Sequence, residues 1–371
     1  MKIISNYYGD HKKGCWRRLN RLVHHLANDG HEVTLITSHK PVEIYEPNVK
    51  IITLNIKNAS YFNFFVYLIF SSLVASLCMI CNKGYDRILA FDCHNATPIL
   101  LGKFFRKTPM MLYIRGVYEH QDFFKTKNYV LKKIFFWINK MGYIYADKVY
   151  CVSRKNKEEI TRLFGRHYKY IGIIRNNVPN IKKFVSKKPR YKEKSESLVV
   201  GYLGQLVNRK NVTFLLELLT YCKEYNIVLH IQGGGPEEEN LKESARKLGV
   251  DDKVLFMPWS SDISGFFDNI DIFILPSYFD DASNSLLEAM AYNKICFSAN
   301  TGGSTEILNY DSELLFCPYS GQEELSGILK KILSDEIYKQ RFIEKVNQSR
   351  IDLTFDWNKK MFNSFLYRKK A

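Results

Sequence analysis

Residues 272–291 read IFILPSYFDDASNSLLEAMA. The apolar run Ile272–Leu275 stops at Pro276, as a short strand covered on both faces does. Ser283 or Asn284 then stands where a helix N-cap belongs, ahead of Ser285–Ala291, which is rich in good helix formers. A strand that passes through a polar loop into a helix is the building unit of a parallel α/β sheet. In this unit Asp280 lies in the loop just before the helix and Glu288 about one turn inside it. The two carboxylates flank a helix N-terminus, where free N–H groups can receive a phosphate. One carboxylate could then accept hydrogen bonds from sugar hydroxyls and the other from ribose hydroxyls. An acidic loop leading into a dipole-favoured helix start fits the same local pattern.

The unit repeats on both sides. Upstream, Leu198–Leu203, Ile227–Ile231 and Val254–Met257 read as strands. Val212–Tyr225, Glu238–Lys247 and Ile263–Asn269 read as helices, and Ile295–Ser298 is a further strand. The first strand runs into Gly204-Gln205-Leu206-Val207-Asn208-Arg209-Lys210-Asn211. Two adjacent cations before a helix expected near Asn211 make a candidate diphosphate site with the helix N–H groups. The second strand runs into Gln232-Gly233-Gly234-Gly235-Pro236. Its glycines allow close backbone approach or a plain strand-to-helix turn, and the spacing is not that of a dinucleotide fingerprint.

The N-terminal half has the same alternation. Strands are expected at Lys2–Ser5, Glu32–Thr37, Val49–Leu54, Arg87–Ala90, Met110–Ile114 and Lys148–Val152, with a helix at Cys15–Asp29 that stops at Gly30. Residues 182–197, KKFVSKKPRYKEKSES, are basic and poor in apolar side chains, as a linker is. The expected organisation is an N-terminal domain over 1–185, a linker over 186–197, a C-terminal domain over 198–352 and a last helix within 353–371. Each domain is an α/β parallel sheet, and ligands bind such sheets beyond the carboxyl ends of their strands. A cleft between two facing domains is the natural site.

At 371 residues the chain suits two domains, and 46% hydrophobic with 25% charged residues is globular. The formal charge of +16 is uneven. Residues 1–190 hold 33 Lys/Arg against 12 Asp/Glu, net +21, and the rest 21 against 26, net −5. A basic half implies an anionic partner, such as phospholipid head groups, a pyrophosphate-linked acceptor or nucleic acid; a solvated basic surface fits the same count. The eight cysteines are scattered, which points to reduced thiols in a reducing compartment. Tyr61–Cys81 is apolar throughout and long enough to span a bilayer, but flanking strand patterns favour a crossover helix, buried or interfacial. Lys125–Lys148 mixes Lys125, Lys127, Lys132, Lys133 and Lys140 with Phe135, Phe136 and Trp137. It reads either as a membrane-surface helix or as an amphipathic helix on the sheet.

With these motifs in place, the chain resembles glycosyltransferase family 4, the retaining GT-B enzymes that use nucleotide sugars, over nearly its whole length. Gly204–Asn211 is similar to the family's glycine–arginine–leucine–x3–lysine–glycine motif, with Lys210 on the lysine. Asp280 to Glu288 is similar to its acidic–x7–glutamate motif, inside a match that runs on to Gly302-Gly303 and Glu306. Gly14, Gly30–Thr37, Ala146–Ser153 and Arg175–Phe184 are further landmarks. The resemblance implies a GT-B fold of two Rossmann-like domains facing a central cleft, with metal-independent, retaining transfer and no cofactor besides the donor. Its implied catalytic residues are Lys210 on the diphosphate, Asp280 on the sugar and Glu288 on the ribose. Gly14, Gly204, Gln205, Arg209, Gly233, Gly234, Ser283, Asn284, Ser285 and Leu286 complete the donor site, and residues 257–262 lie near the base. The Trp357–Tyr367 helix returns to the N-terminal domain.

The sequence departs from the family at Gln205 for the motif arginine, Asp280 for glutamate, Lys13-Gly14 for a double glycine and Arg115 for a histidine. Arg115 cannot act as a base but can bind phosphate or sugar. With His94 it is a candidate for the acceptor or a phosphate, while His24, His25 and His120 read as structural or exposed. No His, Cys and carboxylate cluster has metal-ligand spacing. The expected partners are a nucleotide sugar, a glycan or lipid-linked acceptor and an anionic membrane surface, with no nucleic acid, at the cytoplasmic face. The competing classes are a sugar-binding relative without catalysis and a nucleic-acid-binding protein using the basic half.

Overall fold

Lys2–Tyr7 (β1) and Glu32–Thr37 (β2) are buried at every residue but the first. Strands buried on successive residues have both faces covered, which helices do in a parallel sheet. The computed structural model describes every residue except 10–13, 41–43, 45, 58, 82–83, 118, 120–123, 125, 166–170, 178–196, 261, 354 and 367–371. Lys13, His120, Lys125 and all of the 186–197 linker but Ser197 therefore lie outside the described residues. The chain divides into one unit of Met1–Arg175 with the segment from Trp357 onward, and a second of Asn176–Asp356.

In the first unit, β1 and β2 join Val49–Thr53 (β3), Arg87–Phe91 (β4), Met110–Ile114 (β5), Lys148–Cys151 (β6) and Ile171–Ile173 (β7). The seven-stranded sheet has the order β3-β2-β1-β4-β5-β6-β7, with every neighbouring pair parallel. Its helices are Gly14–Asn28 (α1), Tyr61–Cys81 (α2), Cys93–Ala96 (α3), Leu100–Arg106 (α4), Tyr129–Ile144 (α5) and Arg154–Phe164 (α6). The step from β1 to β2 runs one way across the sheet and those from β3 through β7 run the other. Right-handed crossovers therefore put α1 on one face and α2, α4, α5 and α6 on the opposite face.

Alone among the described helices, α2 is long and apolar enough to cross a membrane. It joins two parallel strands of one sheet, so both of its ends are tied there. Its buried side includes Phe64, Tyr67, Ala75 and Met79. The Tyr67 hydroxyl donates to Asn6 Oδ1 at 2.7 Å and lies within reach of the Tyr7 and Ile36 carbonyls. These bonds fix α2 as a crossover element.

In the second unit, Leu198–Leu203 (β8), Ile227–Gln232 (β9), Val254–Met257 (β10), Ile272–Leu275 (β11), Ile295–Ala299 (β12) and Leu315–Phe316 (β13) form a six-stranded sheet of order β10-β9-β8-β11-β12-β13. All of its pairs are parallel. The helices are Thr213–Thr220 (α7), Glu238–Leu248 (α8), Ser264–Asp268 (α9), Asn284–Ala291 (α10), Ser304–Ile307 (α11), Gln322–Ser334 (α12) and Glu336–Ile351 (α13). Trp357–Leu366 (α14) belongs to the first unit.

The expected helix that differs most from its reading lies between β8 and β9. The helix expected over 212–225 ends at Thr220 because Tyr221, Cys222 and Tyr225 turn back on carbonyls three residues earlier. Its start also falls later than Asn211, which takes a left-handed φ of 51° after a 3₁₀ turn at Asn208–Lys210. The seven described cysteines are free thiols.

Candidate functional site

In the second unit the chain builds β8, β9 and β10 outward, then returns to lay β11 against the other side of β8. Open α/β sheets bind ligands at this reversal, beyond the carboxyl ends of the strands. The loops leaving β8 and β11 there are the two that carry the acidic and cationic motifs. Their backbones are joined, with Tyr278 N–H donating to the Arg209 carbonyl at 3.0 Å.

The side chains of Lys210 and Asp280 meet as a hydrogen-bonded ion pair. The two are 12% and 14% exposed, so most of the water around both charges has been displaced. Asp280 is held from behind by its own carbonyl, which accepts from Gly303 N–H at 2.9 Å. Gly302 makes that approach possible: it sits at φ +58°, and a Cβ there would lie 2.0 Å from the Asp280 oxygen.

Ser283 is the N-cap of α10, its Oγ accepting from Leu286 N–H at 3.3 Å and lying 3.1 Å from Ser285 Oγ. Asn284 opens the helix, and Glu288 follows one turn later, partly exposed. A capped α10 keeps its remaining first-turn N–H groups directed at the loop that bears Asp280.

Gly204 and Gly233 are where β8 and β9 leave the sheet. Gly204 N–H donates to the Gln232 carbonyl at 3.1 Å, and Leu206 N–H donates to the Gly234 carbonyl at 3.0 Å. A Cβ on Gly233 would stand 1.9 Å from the Gly204 oxygen, whereas one on Gly234 would meet nothing within 4 Å. Close approach therefore requires glycine at 233 and not at 234. Gln205 is exposed, and its carbonyl accepts from the Tyr202 hydroxyl at 2.9 Å. A cavity of about 340 Å³ opens beside the same loop, bordered by Asn208, Glu217, Glu237, Tyr278 and Tyr319. Its lining among the described residues includes none of Lys210, Asp280 and Glu288.

In the first unit the sheet reverses between β1 and β4, and the residues just past β4 are polar. His94 lies in α3 and is 6% exposed, packed against the rings of Phe64 and Phe124, which also meet each other. Burial pushes its pKa below the usual histidine value, against the opposing pull of Asp92. It is a core residue and neither a surface nor a capping histidine. Arg115 is engaged by Asp92, a residue the sequence motifs do not mark. Gly14 opens α1. His24 pairs with Glu46 and His25 with Asp29, as structural histidines do. Among the described residues no group of three or more His, Cys, Asp or Glu side chains is placed to hold a metal ion.

Two doubly wound parallel-sheet units, the second with a cation, two carboxylates and a capped helix at its reversal, define a GT-B architecture. The Glycosyltransferase Family 4 model matches residues 13–179, and the Glycosyl transferases group 1 model matches residues 184–349. The chain belongs to these glycosyltransferases, family 4 in its N-terminal half and group 1 in its C-terminal half.

It is similar to an uncharacterized glycosyltransferase of Haemophilus influenzae, 27% identical over 229 residues, 60% of this chain and 62% of that one. The UDP-Gal:alpha-D-GlcNAc-diphosphoundecaprenol alpha-1,3-galactosyltransferase of Escherichia coli is 21% identical over 277 residues, 72% of this chain and 71% of its own length. Among solved structures, Anabaena HepE in complex with UDP superposes with a TM-score of 0.76 at 16% identity, over 98% of this chain and 99% of that one. At that identity the likeness is one of fold.

Proposed function

We propose that the chain moves a sugar from a nucleoside-diphosphate sugar onto a lipid-linked or surface-polysaccharide acceptor, with retention at the anomeric carbon and without a metal ion. The observation that carries this is the Lys210–Asp280 pair beside the capped start of α10. Breaking the bond between sugar and diphosphate puts growing negative charge on the departing phosphate. Groups already fixed where that charge appears lower the barrier without having to reorganise. Lys210, held by Asp280, and the N–H groups of α10 are such groups. Asp280 has a second oxygen for a sugar hydroxyl, and Glu288 accepts from the ribose. Support for the donor class comes from HepE, whose structure contains UDP, and for the acceptor class from the E. coli relative, named for a diphosphoundecaprenol-linked substrate. Retention and metal independence rest on the resemblance of Gly204–Asn211 and Asp280–Glu288 to the family motifs.

The test is calorimetry with a panel of nucleoside diphosphates, followed by product formation from their sugars with EDTA present. Lys210→Ala should weaken diphosphate binding about tenfold to a hundredfold, the range of a lost charge-assisted hydrogen bond. Glu288→Gln should weaken nucleotide binding and leave inorganic pyrophosphate unaffected. The anomeric proton coupling of the product reads retention directly. Unchanged nucleotide affinity in both variants overturns the site, and activity that disappears with EDTA overturns metal independence.

A further inference from the structure

The two faces of the first unit's sheet are finished differently. On the α1 side the return helix α14 supplies a cover. Phe362 stacks on His31 with centroids 5.1 Å apart, and the Arg18 guanidinium lies 5.3 Å from the Trp357 ring. On the opposite side α2, α4 and α5 lie against the sheet, and their outer surface is apolar.

Along α2 the exposed residues Phe62, Ile69, Leu73, Leu77 and Ile80 recur at intervals of seven, four, four and three, which is one stripe of a helix. Phe62 is 75% exposed. On α4, Phe104 and Phe105 are exposed, Phe105 by 66%. On α5, Tyr129, Ile134 and Trp137 are exposed, Trp137 by 55%. The helices adjoin: Phe65 of α2 stacks on Phe135 of α5, and Phe104 of α4 meets Tyr145 edge-on at 4.9 Å. A soluble surface does not usually leave so many large apolar side chains together.

The charge on these helices has one sign. Neither Asp nor Glu occurs in α2, α4 or α5, while Lys103, Arg106, Lys132, Lys133 and Lys140 do. The nearest acidic partner is Asp147, just beyond α5, which binds Lys103 at 3.0 Å. Lys133 sits 4.5 Å over the Tyr129 ring, and Lys140 5.1 Å over that of Trp137. Aromatic rings with cations folded over them are suited to the boundary between head groups and acyl chains. A second copy of the same face would set cations against cations with no acid to receive them. Nor does α2 span a bilayer, since its buried side is bonded into the sheet.

We propose that the α2–α4–α5 face docks flat on an anionic phospholipid bilayer, with its exposed aliphatic and aromatic side chains at head-group depth and its lysines on lipid phosphates. The sheet would then lie parallel to the bilayer, and the carboxyl ends of its strands, where Asp92 and Arg115 stand, would open along the membrane surface.

Flotation of the full chain with protein-free vesicles tests it. Vesicles of phosphatidylcholine with phosphatidylglycerol should carry the protein at low salt, and vesicles of phosphatidylcholine alone should carry far less. Lys132→Gln with Lys133→Gln should lower the partition coefficient about thirtyfold. Leu77→Ser with Phe105→Ser should lower it at least about tenfold. Both are surface changes, so an unaltered melting temperature and unaltered nucleotide binding confirm folding. Protein left in the soluble fraction with anionic vesicles, or variants that float like the parent, overturn the proposal. So does a dimer that Leu77→Ser dissolves, because the face then belongs to a second copy. Nucleotide binding that persists in a protein that never floats removes the docking face alone.

Discussion

Asp92 holds Arg115 by two atoms at once. Its Oδ1 accepts from the Arg115 backbone N–H at 2.9 Å and its Oδ2 from the guanidinium at 3.1 Å. Asp92 is 3% exposed and sits at φ 62° and ψ 151°, a backbone region that essentially only glycine enters without strain. The two bonds to Arg115 therefore offset the strain of the turn, and the acid answers the cation. Asp92→Asn keeps one acceptor oxygen for the Arg115 N–H, whereas Asp92→Ala keeps none, and both retain the strained backbone. Urea unfolding should show a loss of about 2–3 kcal/mol for Ala and roughly half of that for Asn. Equal losses would mean that the acceptor oxygen kept by Asn contributes nothing to the fold.

The glycines at the loop bases make a second prediction by contrast. A methyl on Gly233 would overlap the Gly204 carbonyl, and one on Gly302 would overlap the Asp280 carbonyl at a backbone angle that disfavours it. A methyl on Gly234 enters open space. Gly233→Ala and Gly302→Ala should each lose about 1–3 kcal/mol, as overpacked sites do, and both should lose nucleotide affinity. Gly234→Ala should melt within experimental error of the parent. If all three behave alike in thermal melts and calorimetry, close backbone approach does not shape the site.

Much of this architecture is legible in the chain itself. Buried parallel strands are written as short apolar runs, and the loops that follow them hold the polar residues, so Lys210, Asp280 and Ser283 stand out. Their partners do not. Lys210 meets Asp280 only because β8 and β11 are neighbours across a reversal, which no local pattern encodes. Asp92 is hidden for the same reason: its role needs β4 beside β5. The end of α7 at Thr220 is also silent, because Tyr221, Cys222 and Tyr225 continue an apolar spacing that the backbone abandons in turns. On α2 both faces are apolar, so periodicity cannot tell the side against the sheet from the bare one. Only the bonds of Tyr67 and the burial of its neighbours separate them.

His94 makes the last prediction, and its sign follows from its surroundings. Burial lowers its pKa, and its Nδ1 has no hydrogen-bond partner among the described residues. The unfolded chain therefore binds a proton at this residue more readily than the folded chain, and stability rises with pH wherever that holds. Above the ordinary histidine pKa of about 6.5 both states are neutral here and the residue has no pH effect. Below that value the folded state loses ground, increasingly so as the pH approaches the lowered folded pKa. His31 shifts in the same direction, through burial and then the nearby N-terminus, so the parent's total slope cannot be assigned to one residue. Melting temperatures of the parent, His94→Gln and His31→Gln between about pH 7.5 and 5.5 separate the two. Acidification should cost the parent most, and each variant should recover a part. A His94→Gln curve that runs parallel to the parent's over that range would mean that the buried imidazole takes up no proton on unfolding, and the assignment of its shift to burial would fail.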